Sequence, residues 1–255
     1  MTQKPSARRP RVLILDVGGT HVKVAFSDRR TELKIPSGPT MTAGKMLGKV
    51  LRKVRGQPYD VVSIGYPGLV VHGRIVREPH NLGPGWVGFD FESKFRHPVR
   101  IVNDAAMQAL GGYHGGRMLF LGLGTGLGTA MIVEGEVQPM ELAHLPYKKG
   151  RTYEEYIGEA GLERMGRKKW QKEVFEVVRT LSEALEPDYV RLGGGNARRL
   201  KELPPHGERG DNRDAIVGGA RLWSDDRATC SPSAGRSPSA RGSSRRRNAR
   251  GRRPV

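Results

Sequence analysis

One pattern occurs twice in this chain, about a hundred residues apart, and it narrows the possible folds more than any other feature. An apolar run at residues 12–15 leads into Asp16-Val17-Gly18-Gly19-Thr20, and a second apolar run follows at residues 22–26. Another run at residues 118–121 leads into Gly122-Leu123-Gly124-Thr125-Gly126-Leu127-Gly128, followed by a run at residues 130–133 that closes at Glu134-Gly135. Short apolar runs bounded by glycine read as strands, so each copy is a strand–turn–strand unit. The repetition predicts an internal duplication, with two related α/β halves facing each other and both turns meeting at a shared cleft.

The residues between and after the copies supply helices in alternation with strands. Residues 42–54 predict a helix with Met46, Leu47, Val50, Leu51 and Val54 on one face and Lys45, Lys49, Arg52 and Lys53 on the other. A strand at 61–65 is stopped by Pro67-Gly68, a loop runs from about 78 to 89, and a strand at 99–102 precedes a helix at 105–110 that ends at Gly111-Gly112. Beyond the second copy come helical segments at 153–164 and 170–185. A strand at 189–192 then ends at Gly193-Gly194-Gly195-Asn196, and a last helix spans 213–223. The expected organisation is a small N-terminal domain (11–105) onto which 213–223 packs back, a larger domain (106–212), and a disordered tail (227–255).

Charge has to be read along the chain. The net charge is +18, but residues 227–255 carry 9 Arg and no acid, so half of the excess lies there. That stretch is almost wholly Arg, Ser, Pro, Ala and Gly and has too little apolar surface to order itself. It reads as a solvated appendage rather than a specific nucleic-acid binder. Its composition also suits off-frame translation of a GC-rich gene, which places an expected frameshift near Asp225. The only cysteine, Cys230, lies in it, so no internal disulfide or cysteine-based zinc cluster is expected. No apolar run approaches the ~18 residues of a membrane span, and residues 1–10 lack a signal-peptide core. A cytoplasmic location with no membrane partner is expected.

The chemistry centres on Asp104, which follows Ile101-Val102-Asn103 where a buried strand ends. A carboxylate fixed there, between two glycine turns whose N–H groups meet anions without side-chain obstruction, points to proton abstraction from a hydroxyl during phosphoryl transfer. Asp16 is placed to hold a metal-bound water, and Thr20 and Lys23 to reach phosphate oxygens. Glu141 and His144, three residues apart, are placed to hydrogen-bond vicinal hydroxyls. Each also has a plainer reading: a hairpin turn for the glycines, a helix N-cap for Asp104, exposed surface for Glu141 and His144, and a strand-to-helix turn for Gly193–Asn196.

Together these motifs resemble the ROK family of sugar kinases, within the actin-like ATPase (ribonuclease H-like) superfamily. The matching stretches are Asp16 to Thr20, Gly65-Tyr66-Pro67-Gly68, Asn103-Asp104-Ala105, Leu123 to Gly128, Glu141-x-x-His144 and Gly193 to Gly195, in the family's order over residues 11–223. Pro67-Gly68-Leu69-Val70, the loop from Asn81 to Trp86, and Glu141 to Leu145 are most similar to the polyphosphate/ATP glucokinase branch. The resemblance implies an α/β fold of two related halves and a general base, Asp104, acting on the 6-hydroxyl of glucose. Asn103, Glu141, His144 and Glu154 would hold the sugar. Asp16, Gly18, Gly19, Thr20 and Lys23, with Gly124, Thr125 and Gly126, would cradle the donor phosphates with Mg²⁺, which Asp16 holds through water. Gly193, Gly194 and Gly195 would lie near the adenosine if ATP is the donor; polyphosphate is the other donor expected. A homodimer is also implied.

The sequence departs from the family in places. Ala143 stands where the family has glycine, and residues 147–156 contain none of the cysteines of the family's zinc motif. About ten residues precede the first strand, too few for the helix-turn-helix of ROK repressors. A kinase for mannose, fructose or an N-acetylhexosamine stays open, as do a non-catalytic sugar sensor and a nucleic-acid binder acting through the basic tail.

Overall fold

A computed structural model describes residues 8–211 and 213–224. The expected tail at 227–255, Cys230 and the frameshift position at Asp225 lie outside the described residues. The first half runs β1 (Val12–Val17), β2 (His21–Phe26), β3 (Glu32–Pro36), α1 (Ala43–Lys53), β4 (Val61–Tyr66), a small hairpin of β5 (Val70–Val71) and β6 (Arg74–Ile75), α2 (Phe91–Phe95) and β7 (Val99–Asn103). The second runs α3 (Asp104–Gly112), β8 (Arg117–Leu123), β9 (Leu127–Val133), β10 (Glu136–Met140), α4 (Tyr153–Ile157), α5 (Glu159–Leu185), β11 (Tyr189–Gly193), β12 (Gly207–Arg209) and α6 (Asp214–Arg221).

The strands form two five-stranded sheets of one plan. Their orders are β3-β2-β1-β4-β7 and β10-β9-β8-β11-β12. In each, three antiparallel strands come first and two parallel strands complete the sheet. The duplication legible in two glycine turns therefore extends to strand order and direction. The outer strands β3 and β10 were not expected; β3 ends at Pro36, and β10 contains Pro139. Both lie at sheet edges, where proline is tolerated because one side of the strand needs no ladder donor.

Each sheet buries both faces. Leu13, Leu15 and Val17 pack with Met46 and Val50 of α1, while Leu119 and Leu121 pack with Trp170, Val174 and Val177 of α5. On the opposite faces, Ile14 and Ala25 meet Ala215 and Ile216 of α6, and Phe120 and Ala130 meet Ala105 and Ala109 of α3. Helices α3 and α6 thus lie between the sheets and cross at glycines. A Cβ on Gly111 would stand 1.8 Å from the Asp214 carbonyl oxygen, and one on Gly218 would stand 1.8 Å from that of Met107. Ser63 ties α6 to the first sheet: its Oγ donates to the Gly219 carbonyl (2.7 Å) and accepts from Trp223 Nε1 (2.9 Å).

Local differences from the sequence expectations have physical causes. The second glycine turn is only Gly124-Thr125-Gly126, because Gly122 and Leu123 pair with Gly128 and Leu127 across the hairpin. The helical segments expected at 153–164 and 170–185 are divided at Gly158 instead, and the long helix kinks at Gly166, whose φ of 72° leaves the helical region. No helix among the described residues is long and apolar enough to cross a membrane.

Candidate active site

Asp104 is the first residue of α3, and the N-cap is its neighbour Asn103. The Asn103 side-chain oxygen accepts from Ala106 N (3.2 Å), and its Nδ2 donates to the Gly68 carbonyl (3.1 Å). The cap reading belongs to Asn103, which leaves the Asp104 carboxylate with one local bond, from Ala105 N at 2.8 Å.

Two close approaches put α3's first turn between the sheets' strand ends. A Cβ on Gly65 would lie 3.5 Å from Asp104 Cα and 2.4 Å from Met107 Cε. On the other side, a Cβ on Gly128 would lie 2.8 Å from Ala105 Cβ. Gly65 is the parallel partner of Asp16, so β1's end is brought to the same place. Asp16 is buried, and Lys23, its partner across the hairpin, donates Nζ to Asp16 Oδ2 at 2.9 Å.

Electrostatics report the same neighbourhood. Desolvation raises the half-buried Asp104 carboxyl from its ordinary 3.8 to about 7; the nearby Asp16 carboxylate, and to a lesser degree Glu141, add to the rise against the backbone N–H of Ala105. Burial lowers the Lys23 ammonium, but the paired Asp16 carboxylate outweighs it and the net shift is upward. Glu141 and His144 lie at the open side, both well exposed, with His144 Nε2 3.6 Å from Glu141 Oε1.

The second turn is braced from three directions. Glu154 Oε2 accepts from Leu127 N at 3.0 Å and sits where a Cβ on Gly126 would be. Glu159 N donates to the Gly124 carbonyl at 3.0 Å, and the buried Asn196 joins that carbonyl (3.2 Å) to the Glu159 carboxylate. Gly194, at φ 79°, would place a Cβ 2.4 Å from the Leu123 carbonyl oxygen, so only glycine permits the approach of Gly193–Gly195 to the turn. Thr125 is exposed at the tip, as Thr20 is at the first turn. The first turn closes through Gly18 N to the His21 carbonyl (2.9 Å), and a Cβ on Gly19 would meet the Asn81 side chain at 3.2 Å.

The structure therefore gathers Asp16, Lys23, Asp104 and Glu141 in one electrostatic neighbourhood and joins Gly124–Gly126 to Gly193–Gly195 beside it. It commits one Glu154 oxygen and half of the Asn103 amide to bracing. Glu159 was not anticipated, since a single glutamate at a helix start carries no distinguishing signal. Among the described residues no three Asp, Glu, His or Cys cluster as metal ligands. Asp16 gives Oδ2 to Lys23, and its carboxylate would suit a divalent cation held mainly by a ligand's own oxygens.

A model of the ROK family matches residues 12–139. A polyphosphate glucokinase of Mycobacterium tuberculosis is 29% identical over 229 residues, covering 80% of this chain and 83% of its own. Among solved structures, a polyphosphate/ATP-glucomannokinase from Arthrobacter sp. strain KM has a TM-score of 0.72 at 23% identity, over 84% of this chain and 98% of that one. A ROK family glucokinase from Streptomyces griseus, in complex with glucose and AMPPNP, has a TM-score of 0.65 at 17% identity, over 84% and 99%.

Proposed function

The chain belongs to the ROK family, and from that premise we propose that it is a sugar kinase transferring a phosphoryl group to O6 of glucose, with Asp104 as general base. The observation that carries this reading is the Asp104 carboxylate, held at the start of α3 between strand residues Gly65 and Gly128, with its pKa pushed up to about 7. A base is most effective when its pKa lies near the working pH. Here the carboxylate accepts the hydroxyl proton as the oxygen attacks phosphorus, and backbone N–H groups of both turns cradle the donor's oxygens.

Glu141 and His144 bind sugar hydroxyls from the open side. The second N–H of Asn103 and the free oxygen of Glu154 complete the ring from the braced side. Lys23 adds positive charge beside the donor, and Asp16 would hold Mg²⁺, which when bound would offset charge on the transferring phosphates. The donor is polyphosphate, ATP or both, and the mycobacterial relative's name supports polyphosphate. We further propose that residues 11–105 with 213–223 and residues 106–212 move as two bodies that close over the sugar, and that the enzyme is a cytoplasmic homodimer.

A coupled glucose-6-phosphate assay with Mg²⁺, run with ATP and with polyphosphate on wild type and Asp104→Asn, tests the reading. Asp104→Asn is expected to lower kcat by about 10²- to 10⁴-fold with the fold intact. A folded wild type that turns over no hexose with either donor, or a variant as active as wild type, would falsify it.

A further inference from the structure

The stretch Asn81 to Trp86, in the loop between β6 and α2, takes no part in the proposed catalytic steps, yet it is firmly held. Glu78 accepts from Trp86 N with both carboxylate oxygens, at 3.2 and 3.1 Å, and from Val87 N at 3.1 Å. The Trp86 ring is wholly buried, and its Nε1 donates to the carbonyls of Gly83 (2.8 Å) and Met41 (3.3 Å). Leu82 is buried as well, and Gly83 N donates to the Met41 carbonyl at 3.0 Å. Tyr66, at the end of β4, ties the loop to the proposed catalytic residues. Its hydroxyl donates to the Arg77 carbonyl (2.9 Å), and its ring lies 5.5 Å from that of Trp86. A Cβ on Gly68, whose carbonyl accepts from Asn103, would stand 2.9 Å from the same Tyr66 ring.

Within this fixed frame Asn81 is exposed, and its carboxamide has no hydrogen-bond partner among the described residues. Asparagine often serves a loop by adopting a left-handed backbone or by bonding its side chain to nearby backbone. Asn81 does neither: its φ is negative, and its amide is unused. What it does touch is the first glycine turn. A Cβ on Gly19 would lie 3.2 Å from Asn81 Cβ and 3.9 Å from Asn81 Nδ2. That turn has unused donors of its own. Gly18 N is taken by the His21 carbonyl, but among the described residues Gly19 N and Thr20 N donate to nothing. Glycine at position 19 thus lets an unpartnered side-chain amide approach two unpartnered backbone N–H groups, three and four residues after Asp16.

We infer that Asn81 is a further donor-binding residue: its Nδ2 donates to a phosphate oxygen of the phosphoryl donor, alongside Gly19 N and Thr20 N. The inference rests on the kinase reading and adds to it a residue from a loop outside both glycine turns. A carboxamide brings two N–H donors without bringing charge. Backbone N–H groups gathered at a turn suit an anion, and a third donor beside them completes such a site better than it would serve a sugar hydroxyl. Because the buried Leu82 and Trp86 and the Glu78 carboxylate fix the loop, little ordering is left to be done when the ligand arrives.

The test compares Asn81→Ala and Asn81→Asp with wild type in the full chain. Alanine keeps the Cβ that packs on Gly19 and removes only the amide. Aspartate keeps the shape and sets an anion beside the phosphate. Calorimetric titration with tripolyphosphate and Mg²⁺ measures donor binding without turnover, and a second titration uses glucose. The Kd for tripolyphosphate is expected to rise about ten-fold in Asn81→Ala, the size of one hydrogen bond to a charged group, and further in Asn81→Asp. The Kd for glucose and the thermal midpoint stay at the wild-type values, and in steady state KM rises for the donor and not for glucose. Unchanged tripolyphosphate binding in both variants overturns the inference. So does a loss confined to glucose, or a loss that comes with a lowered thermal midpoint, which would make Asn81 a support of the loop. A wild type that binds no tripolyphosphate overturns it too. If the wild type binds tripolyphosphate but phosphorylates no hexose, the kinase reading fails by itself and the titrations still decide Asn81.

Discussion

Asp104 shows what one side chain owes to its neighbours. Its place after Val102-Asn103 was legible because an apolar run ends there, but its proton affinity was not. That depends on shelter between two sheets and on Asp16, which folding brings from a distant strand. The folded chain holds the Asp104 proton more tightly than the unfolded chain does. Stability associated with this group is therefore greatest in acid and falls as the pH rises from about 4 to about 7. Asp104→Asn removes that penalty and keeps an oxygen for Ala105 N. It is expected to be more stable than wild type at pH 8 by about 1–3 kcal/mol, with the difference shrinking towards pH 4. Urea unfolding at both pH values measures this, and a wild type that gains on the variant as the pH rises contradicts it. In wild type, kcat/KM should rise with pH through an acid limb near 7, because the base must be ionised to accept a proton.

At the scale of elements, α3 and the second hairpin are positioned by small contacts at their ends. The sequence reading offered Asp104 as the helix N-cap, and the cap proves to be the residue before it. The structure chooses Asn103 because β7 continues through it, leaving its backbone extended and its amide aimed at Ala106 N and Gly68. Asn103→Ala should cost about 1 kcal/mol in urea unfolding through the lost cap. It should also lower kcat/KM, since the Asp104 backbone is no longer tied to the loop at Gly68. Activity that is lost without any change in stability would argue that Asn103 acts only on the sugar. The edge strands β3 and β10 were not read from the sequence. Whether a strand lies at an edge depends on which strands pair, and that is a property of the sheet.

The whole molecule is held together where α3 and α6 cross, and glycine has opposite meanings in and out of that crossing. Gly48, within α1, would give a Cβ only ordinary contact, with Arg52 at 3.8 Å, so Gly48→Ala should stabilise by about 0.5–1 kcal/mol through helix propensity. Gly218 would drive its Cβ into the Met107 carbonyl, so Gly218→Ala should destabilise by about 1–3 kcal/mol despite the same gain in propensity. Thermal unfolding of the pair checks this; stabilisation by both would mean the crossing is loose. The sequence by itself determined the repeated strand–turn–strand unit, the α/β class, the family resemblance and Asp104 at a strand end, because periodicity and glycine-bounded runs are local properties. Only the tertiary structure decided which faces of α3 and α6 meet, that burial and Asp16 raise the Asp104 carboxyl, and that Asn196 and Glu159 brace the second turn. Each of these is a contact between residues far apart in the chain, set by how two sheets pack around a shared pair of helices.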